Sequence, residues 1–188
     1  MRMFKIPKSQ AKVIVATCPK YQNYEVPSMG TGVNPRGLNS CQLWQSDVTH
    51  FPPFGKSKYV HVSVDTFSGA VFASTHAGET ATHIIKHFLL AFATLGVPKK
   101  IKTDNGPAYI SHKFQEFLSE WGIEHIHTIP GNSTGQSIVE RTHQNIKRVL
   151  HQQRRDTEIL SLVERLCKAL YVINFLNGTK SEPDPPIL

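Results

Sequence analysis

Cysteine is scarce in this sequence. Cys18, Cys41 and Cys167 are the only three in 188 residues, odd in number and far apart. Such a set excludes a disulfide-stapled scaffold and fits a reducing compartment. Long apolar runs are missing too. Residues 13–16 are too few for a signal-peptide core, and no stretch could span a bilayer, so an intracellular protein with no membrane partner is expected. Acidic residues are outnumbered, 14 against 21 Lys and Arg, which leaves a net charge of +7. That excess favours a polyanion partner, nucleic acid first. There is no internal repeat and no low-complexity tract. What remains suffices for one domain with a packed interior: 39% hydrophobic residues, ten of them Phe.

The first 40 residues read as poorly organised apart from a short possible helix over residues 9–17, and GVNPRGL (residues 32–38) reads as a boundary. Strands are expected at residues 43–49, 59–65 and 70–76, joined as an antiparallel meander. YVHVSVD (residues 59–65) is the clearest, with alternating β-branched positions suited to two different faces. Ile84, Ile85, Phe88, Phe92 and Leu95 form the stripe of a helix over residues 80–95, stopped by Gly96 and Pro98. A short strand (100–103), a helix marked by Phe114, Phe117, Leu118 and Trp121, and a fifth strand (123–127) follow. Gly131, Asn132, Ser133, Thr134 and Gly135 then form a loop that runs into a helix from Gln136. On it Ile138, Ile146 and Val149 are expected on the apolar face, with Val139 and Leu150 at its edge and Glu140, His143, Gln144, Lys147 and His151 opposite. A last helix is expected over residues 158–174. The order predicts an α/β fold: a mixed five-stranded sheet, three antiparallel strands then parallel ones, flanked by helices.

Three carboxylates invite a chemical reading. Asp47 sits inside a strand, where Asp is disfavoured unless it is at an edge or has a task. Asp104 follows a strand and precedes Asn105-Gly106, which is ordinary turn chemistry. Glu140 on a polar helix face is ordinarily just solvated. Strand and helix ends can bring the three together, where they would repel unless a hard divalent cation joined them. Two such ions would stabilise both the attacking and the leaving oxygen of an in-line phosphoryl displacement.

The segments WQSDVTH, IKTDNGPAY and IPGNSTGQSIVERTHQNIK together resemble the catalytic core of retroviral integrases. Thirty-five residues separate Asp104 from Glu140, the spacing of that family's D,D(35)E motif. GVNPRGL and IKTDNG look most like the alpha- and betaretroviral branch and related endogenous elements. The resemblance implies a ribonuclease H-like fold, with Asp47, Asp104 and Glu140 as a catalytic triad holding two Mg²⁺ or Mn²⁺ ions. It implies 3′-processing of viral DNA ends and strand transfer into target DNA. Gln136, Lys147, Thr49, His50, Asn105 and Asn132 match positions that meet DNA or neighbour the site. His143 and Gln144 stand where some integrases carry Asn and Lys. A homodimer through the core helices and a place in the nucleus, virion or preintegration complex are implied as well.

The leader departs from the family. Cys18 is followed by Pro19, Lys20 and Tyr21, and no His precedes it, so four zinc ligands cannot be assembled from residues 1–40 and no structural zinc is expected. The expected organisation is a degenerate zinc-domain remnant and linker (1–40), a catalytic core (41–177) and a disordered tail (178–188). Two competitors stand beside the transferase reading. One is a non-enzymatic endogenous-retroviral remnant that dimerises or binds nucleic acid. The other is a ribonuclease H, which needs a further carboxylate at the first helix. Glu79 lies just before that helix and is expected to support its N-terminus.

Overall fold

The computed structural model describes residues 36–128, 136–153, 160–176 and Pro186. The chain divides between Val33 and Asn34, and every described residue belongs to the second unit. The possible helix at 9–17, the zinc-remnant reading and the 131–135 loop lie outside the described residues.

Five strands form one sheet in the order β3-β2-β1-β4-β5. These are β1 (Leu43–His50), β2 (Tyr59–Asp65), β3 (Val71–His76), β4 (Lys100–Thr103) and β5 (Glu124–His127). The first three pair antiparallel, whereas β4 runs parallel to β1 and β5 parallel to β4. The meander and its parallel extension are as the sequence predicts. Helix α1 (Ala81–Leu95) follows β3, α2 (His112–Glu120) lies between β4 and β5, and α3 (Ser137–Gln152) and α4 (Leu162–Tyr171) close the chain. Between β1 and β2 the segment FPPFGKS contains a 3₁₀ helix at Pro52–Ser57.

Strand alternation divides the interior into two cores. Val60, Val62 and Val64 of β2 pack with Val139, Ile146 and Leu150 of α3 and Leu166 of α4. On the other side Trp44 and Ile101 join Ile84, Phe88 and Phe92 of α1 and Phe114, Phe117 and Leu118 of α2. The second face of β2 is polar yet buried. Ser46 and Ser63 share a 2.6 Å hydrogen bond, and His87 of α1 is held by Ser63 and Ser74 at 2.8 Å each. His87 is thus a buried imidazole whose two nitrogens are both satisfied.

Local chemistry sets the helix ends. Gly96 caps α1 at φ 90°, a conformation that favours glycine, and its N–H bonds the Phe92 carbonyl at 3.0 Å. Ser161 and Glu164 form a capping box that starts α4 at Leu162, later than the expected 158. Its expected continuation to residue 174 is a π-helical turn, Val172–Leu176. The folded unit also begins before residue 41, because the buried Gly37 donates its N–H to Thr66 Oγ1 at 2.9 Å.

Asn174 within that turn is buried and clamps β3. Its Oδ1 accepts from Val71 N–H at 2.9 Å and its Nδ2 donates to the Val71 carbonyl at 2.8 Å. Asn174→Ala would strand both buried groups, and a loss of about 2–3 kcal/mol is expected in urea unfolding. An unchanged midpoint would show the clamp to be dispensable.

Candidate active site

Asp47 is the fifth residue of β1, and Asp104 directly follows β4. Gln45 pairs with Lys102 in the parallel register, so two further steps place the aspartates side by side where the strands end. Such carboxyl ends are where open α/β sheets gather their sites. Each carboxylate is oriented locally: Asp47 Oδ1 accepts from Val48 N–H at 2.7 Å, and Asp104 Oδ1 from Gly106 N–H at 3.0 Å. A Cβ at position 106 would stand 3.0 Å from that same Oδ1, so the Asp-Asn-Gly turn needs glycine for the close approach.

Glu140 lies in the first turn of α3. Two tethers set that helix. Val139 N–H donates to Gln45 Oε1 at 3.4 Å, and Gln136 Nε2 donates to Thr128 Oγ1 at 3.3 Å. Thr128 in turn donates its hydroxyl to the Thr103 carbonyl at 2.7 Å, while Asn105 Nδ2 donates to the Thr128 carbonyl at 3.0 Å. A continuous polar chain therefore links the neighbours of Asp104 to the start of the Glu140 helix. Gln45 and Thr128 were not among the expected site residues. The available signal was a Gln two residues before Asp47, on the same face of the strand.

The electrostatics follow the placement. Burial, with smaller additions from the charges of Asp104 and Glu140, pushes Asp47 up to about 6 from 3.8. Glu140 is exposed, and among the described residues no three His, Cys, Asp or Glu side chains stand close enough to hold an ion. The donor set still suits a hard cation: all-oxygen ligands, with one carboxylate whose ionisation a positive charge would favour.

His143 corrects the expected helix face. It is buried with Val139, Ile146 and Leu150, while Ile138 is only half-buried. Its Nδ1 lies 3.9 Å from Asp47 Oδ2. Burial, with help from Lys147, lowers the imidazole to about 4, so the contact is not an ion pair at neutral pH. Gln144 is exposed and Lys147 half-buried, one and two turns beyond Glu140. Thr49 is buried, and the exposed His50 lies 3.9 Å from Glu79. Gln136 is buried rather than presented to solvent, and Asn132 lies outside the described residues.

Glu79 does more than precede a helix. It lines a cavity of about 600 Å³ together with Asp47 and Asp104, and its charge reaches both Asp47 and Tyr109. Thr80, not Glu79, is the N-cap. Tyr109 on the same wall was not anticipated, because only the tertiary fold brings the 107–111 segment to Asp47.

The family described as "Integrase core domain" matches residues 39–133. The Gag-Pro-Pol polyprotein of mouse mammary tumor virus (strain BR6) is 47% identical over 175 residues, 93% of this chain and 10% of the polyprotein. The chain belongs to the retroviral integrase core family. This integrase core also shares 44% identity over 193 residues with the intracisternal A-particle Pol-related polyprotein of mouse intracisternal a-particle MIA14, covering 96% of the chain and 22% of that protein. It spans about a tenth of the length of the Gag-Pro-Pol relatives it matches. Among solved structures, a simian T-cell lymphotropic virus intasome in complex with PP2A regulatory subunit B56 gamma superposes with a TM-score of 0.78 at 36% identity, over 97% of this chain and 66% of that one. The HTLV-2 integrase catalytic core domain in complex with magnesium, in its dimeric form, gives 0.69 at 39% identity, over 80% and 97%. The integrase core fold here is ribonuclease H-like, as the sequence predicts.

Proposed function

We propose that this chain is a metal-dependent polynucleotidyl transferase core acting on DNA, with Asp47, Asp104 and Glu140 as its catalytic carboxylates. The observation that carries this reading is the adjacency of Asp47 and Asp104 on paired strands, with the Glu140 helix tethered to those same strands. Asp47, Asp104 and Glu140 would hold Mg²⁺ or Mn²⁺, two ions in the full reaction. When bound, the ions supply charge neutralisation at the phosphodiester and lower the pKa of an attacking water. The chain's own part is positioning. The sheet fixes two acids, Gly106 N–H aims Asp104, and the Gln136–Thr128 link holds the helix that presents the third. Neutral His143 beside Asp47 adds no positive charge that would compete with a cation there.

The fitting substrates are viral DNA ends for 3′-processing and target DNA for strand transfer. Lys147, Gln144, Gln136, Asn105, Asn132, Thr49, His50 and His143 are the proposed DNA-side residues. The HTLV-2 core with magnesium supports the cation, and the intasome supports a nucleoprotein assembly. A homodimer accords with the dimeric HTLV-2 form and with Leu89, Leu90, Trp121, Val163 and Tyr171 left exposed on this chain. No helix among the described residues is long and apolar enough to cross a membrane. The proposed place of action is the virion, the preintegration complex and the nucleus.

Glu79 on the cavity wall favours a second reading, a ribonuclease H that uses this extra carboxylate. One assay separates the two. The chain is given a branched DNA or an RNA–DNA hybrid with Mn²⁺ or Mg²⁺, beside Glu140→Gln. Metal-dependent DNA cleavage that drops at least about a hundredfold in the variant is expected. Hybrid degradation without DNA cleavage would instead favour the ribonuclease. Cleavage of neither would leave a non-enzymatic dimerising or nucleic-acid-binding remnant.

A further inference from the structure

Tyr109 is 5% exposed and anchored on every side except at its hydroxyl. Its N–H bonds the Gly106 carbonyl at 2.9 Å, and its carbonyl accepts from Gln115 Nε2 at 2.9 Å. The ring meets Phe114 edge-on at 5.6 Å. Among the described residues no hydrogen bond reaches the hydroxyl.

The surroundings say what the hydroxyl suits. Tyr109 lines the cavity with Asp47, Asp104, Glu79 and Ser111, and the walls between them are apolar, among them Val48 and Ile84. Burial first, then the charges of Asp47, Asp104 and Glu79, push the phenol well above its usual range, so it stays protonated. It is therefore a donor in wait of an acceptor, although three carboxylates stand near and none takes the proton. Ser111 is otherwise engaged, because its hydroxyl donates to the Ala108 carbonyl and receives Phe114 N–H at the start of α2. Of the three hydroxyls on this wall, those of Thr80 and Ser111 are hydrogen-bonded, and Tyr109 carries the one left uncommitted among the described residues.

We infer that the Tyr109 hydroxyl donates a hydrogen bond to a non-bridging phosphate oxygen of the DNA strand that lies in this cavity beside the attacked phosphodiester. The inference rests on the reading of Asp47, Asp104 and Glu140 as a DNA-processing centre, since that places a strand along the cavity. Phosphate oxygens are the acceptors a strand presents most often to protein side chains. A neutral donor suits this acid-rich wall, because a Lys or Arg here would be drawn into ion pairs with the carboxylates. Tyr109 then fixes the register of the strand relative to the acids.

The test is a binding cycle on the full chain. Wild type and Tyr109→Phe are titrated with fluorescent branched DNA in Ca²⁺, with methylphosphonate placed in turn at each phosphate around the cleavage point. One position is expected to weaken wild-type binding by roughly three- to tenfold and Tyr109→Phe by no more than the background of the other positions. Phe keeps the ring packing, and matched thermal midpoints confirm the fold. Equal sensitivity of the two proteins at every phosphate overturns the inference. Cleavage in Mn²⁺ is measured separately: loss of the Glu140-dependent reaction in wild type would defeat the functional reading, while the binding cycle still reports on Tyr109.

Discussion

Asp47→Asn is expected to abolish metal-dependent cleavage and, in metal-free buffer, to make the protein more stable. The activity loss follows from removing an oxygen charge at the centre of the proposed site, at least about a hundredfold. The gain in stability follows from the raised carboxyl. A group that holds its proton more tightly when folded, about 6 against 3.8, weakens the fold as pH climbs through that interval. The full cost is present above pH 6. Asn has the same shape and can still accept from Val48 N–H, but carries no charge. With EDTA at pH 8, Asp47→Asn should gain about 1–3 kcal/mol, or roughly 2–10 °C in melting temperature. At pH 4 the difference should shrink as the wild-type carboxyl takes up its proton. An equal or lower melting temperature at pH 8 would show that Asp47 is not under this strain.

Mild acid is expected to destabilise the protein well before most carboxylates titrate. His61 is buried with its Nε2 on the Gly78 carbonyl at 2.9 Å, and burial lowers it to about 4. His125 is lowered to about 4 by burial and by His127, and is held by Thr103 and Gln115. His87 is likewise pushed well below its usual range by burial between Ser63 and Ser74. The unfolded chain binds protons at these sites from pH 6.5 downward and the folded chain does not. Stability is whole above 6.5 and falls as pH drops toward 4. At pH 5 His61 costs roughly 2 kcal/mol, the half-buried His125 costs less because solvent screens it, and His87 adds to that. Asp47 acts in the opposite sense and returns about 1 kcal/mol. The net loss is a large share of a typical domain's 5–15 kcal/mol. Urea midpoints at pH 7 and pH 5 decide it. A flat profile would mean these imidazoles are protonated or solvated in the fold. His61→Gln should flatten part of the slope.

Much of the architecture could be read directly because its determinants are local. Alternation in YVHVSVD gives β2, the Ile84–Phe88–Phe92 stripe gives α1, and Gly96 ends it where a positive φ is needed. The spacing of Asp47, Asp104 and Glu140 was legible as a motif, and the strand register places the two aspartates together. The apolar face of α3 was legible in Ile146 and Val149, both buried, but the inward position of His143 was not. Hydrophobicity alone favoured Ile138 as a core residue, yet the Val139–Gln45 bond turns Val139 and His143 inward, a choice made by a partner 94 residues away. Glu79 was assigned to a helix terminus for a similar reason: nothing near it in sequence signals the cavity. Tyr109 and Thr128 join the site only through contacts between elements that no window of residues contains.

The Asn174 clamp has a consequence for how copies of the chain meet. β3 is the outermost strand, and an outermost strand normally offers its free backbone groups to any other extended chain. Here a side-chain amide from the turn after α4 takes both groups of Val71, imitating the neighbour that is absent. Concentrated protein is thereby steered away from sheet-extending aggregates at this end of β3.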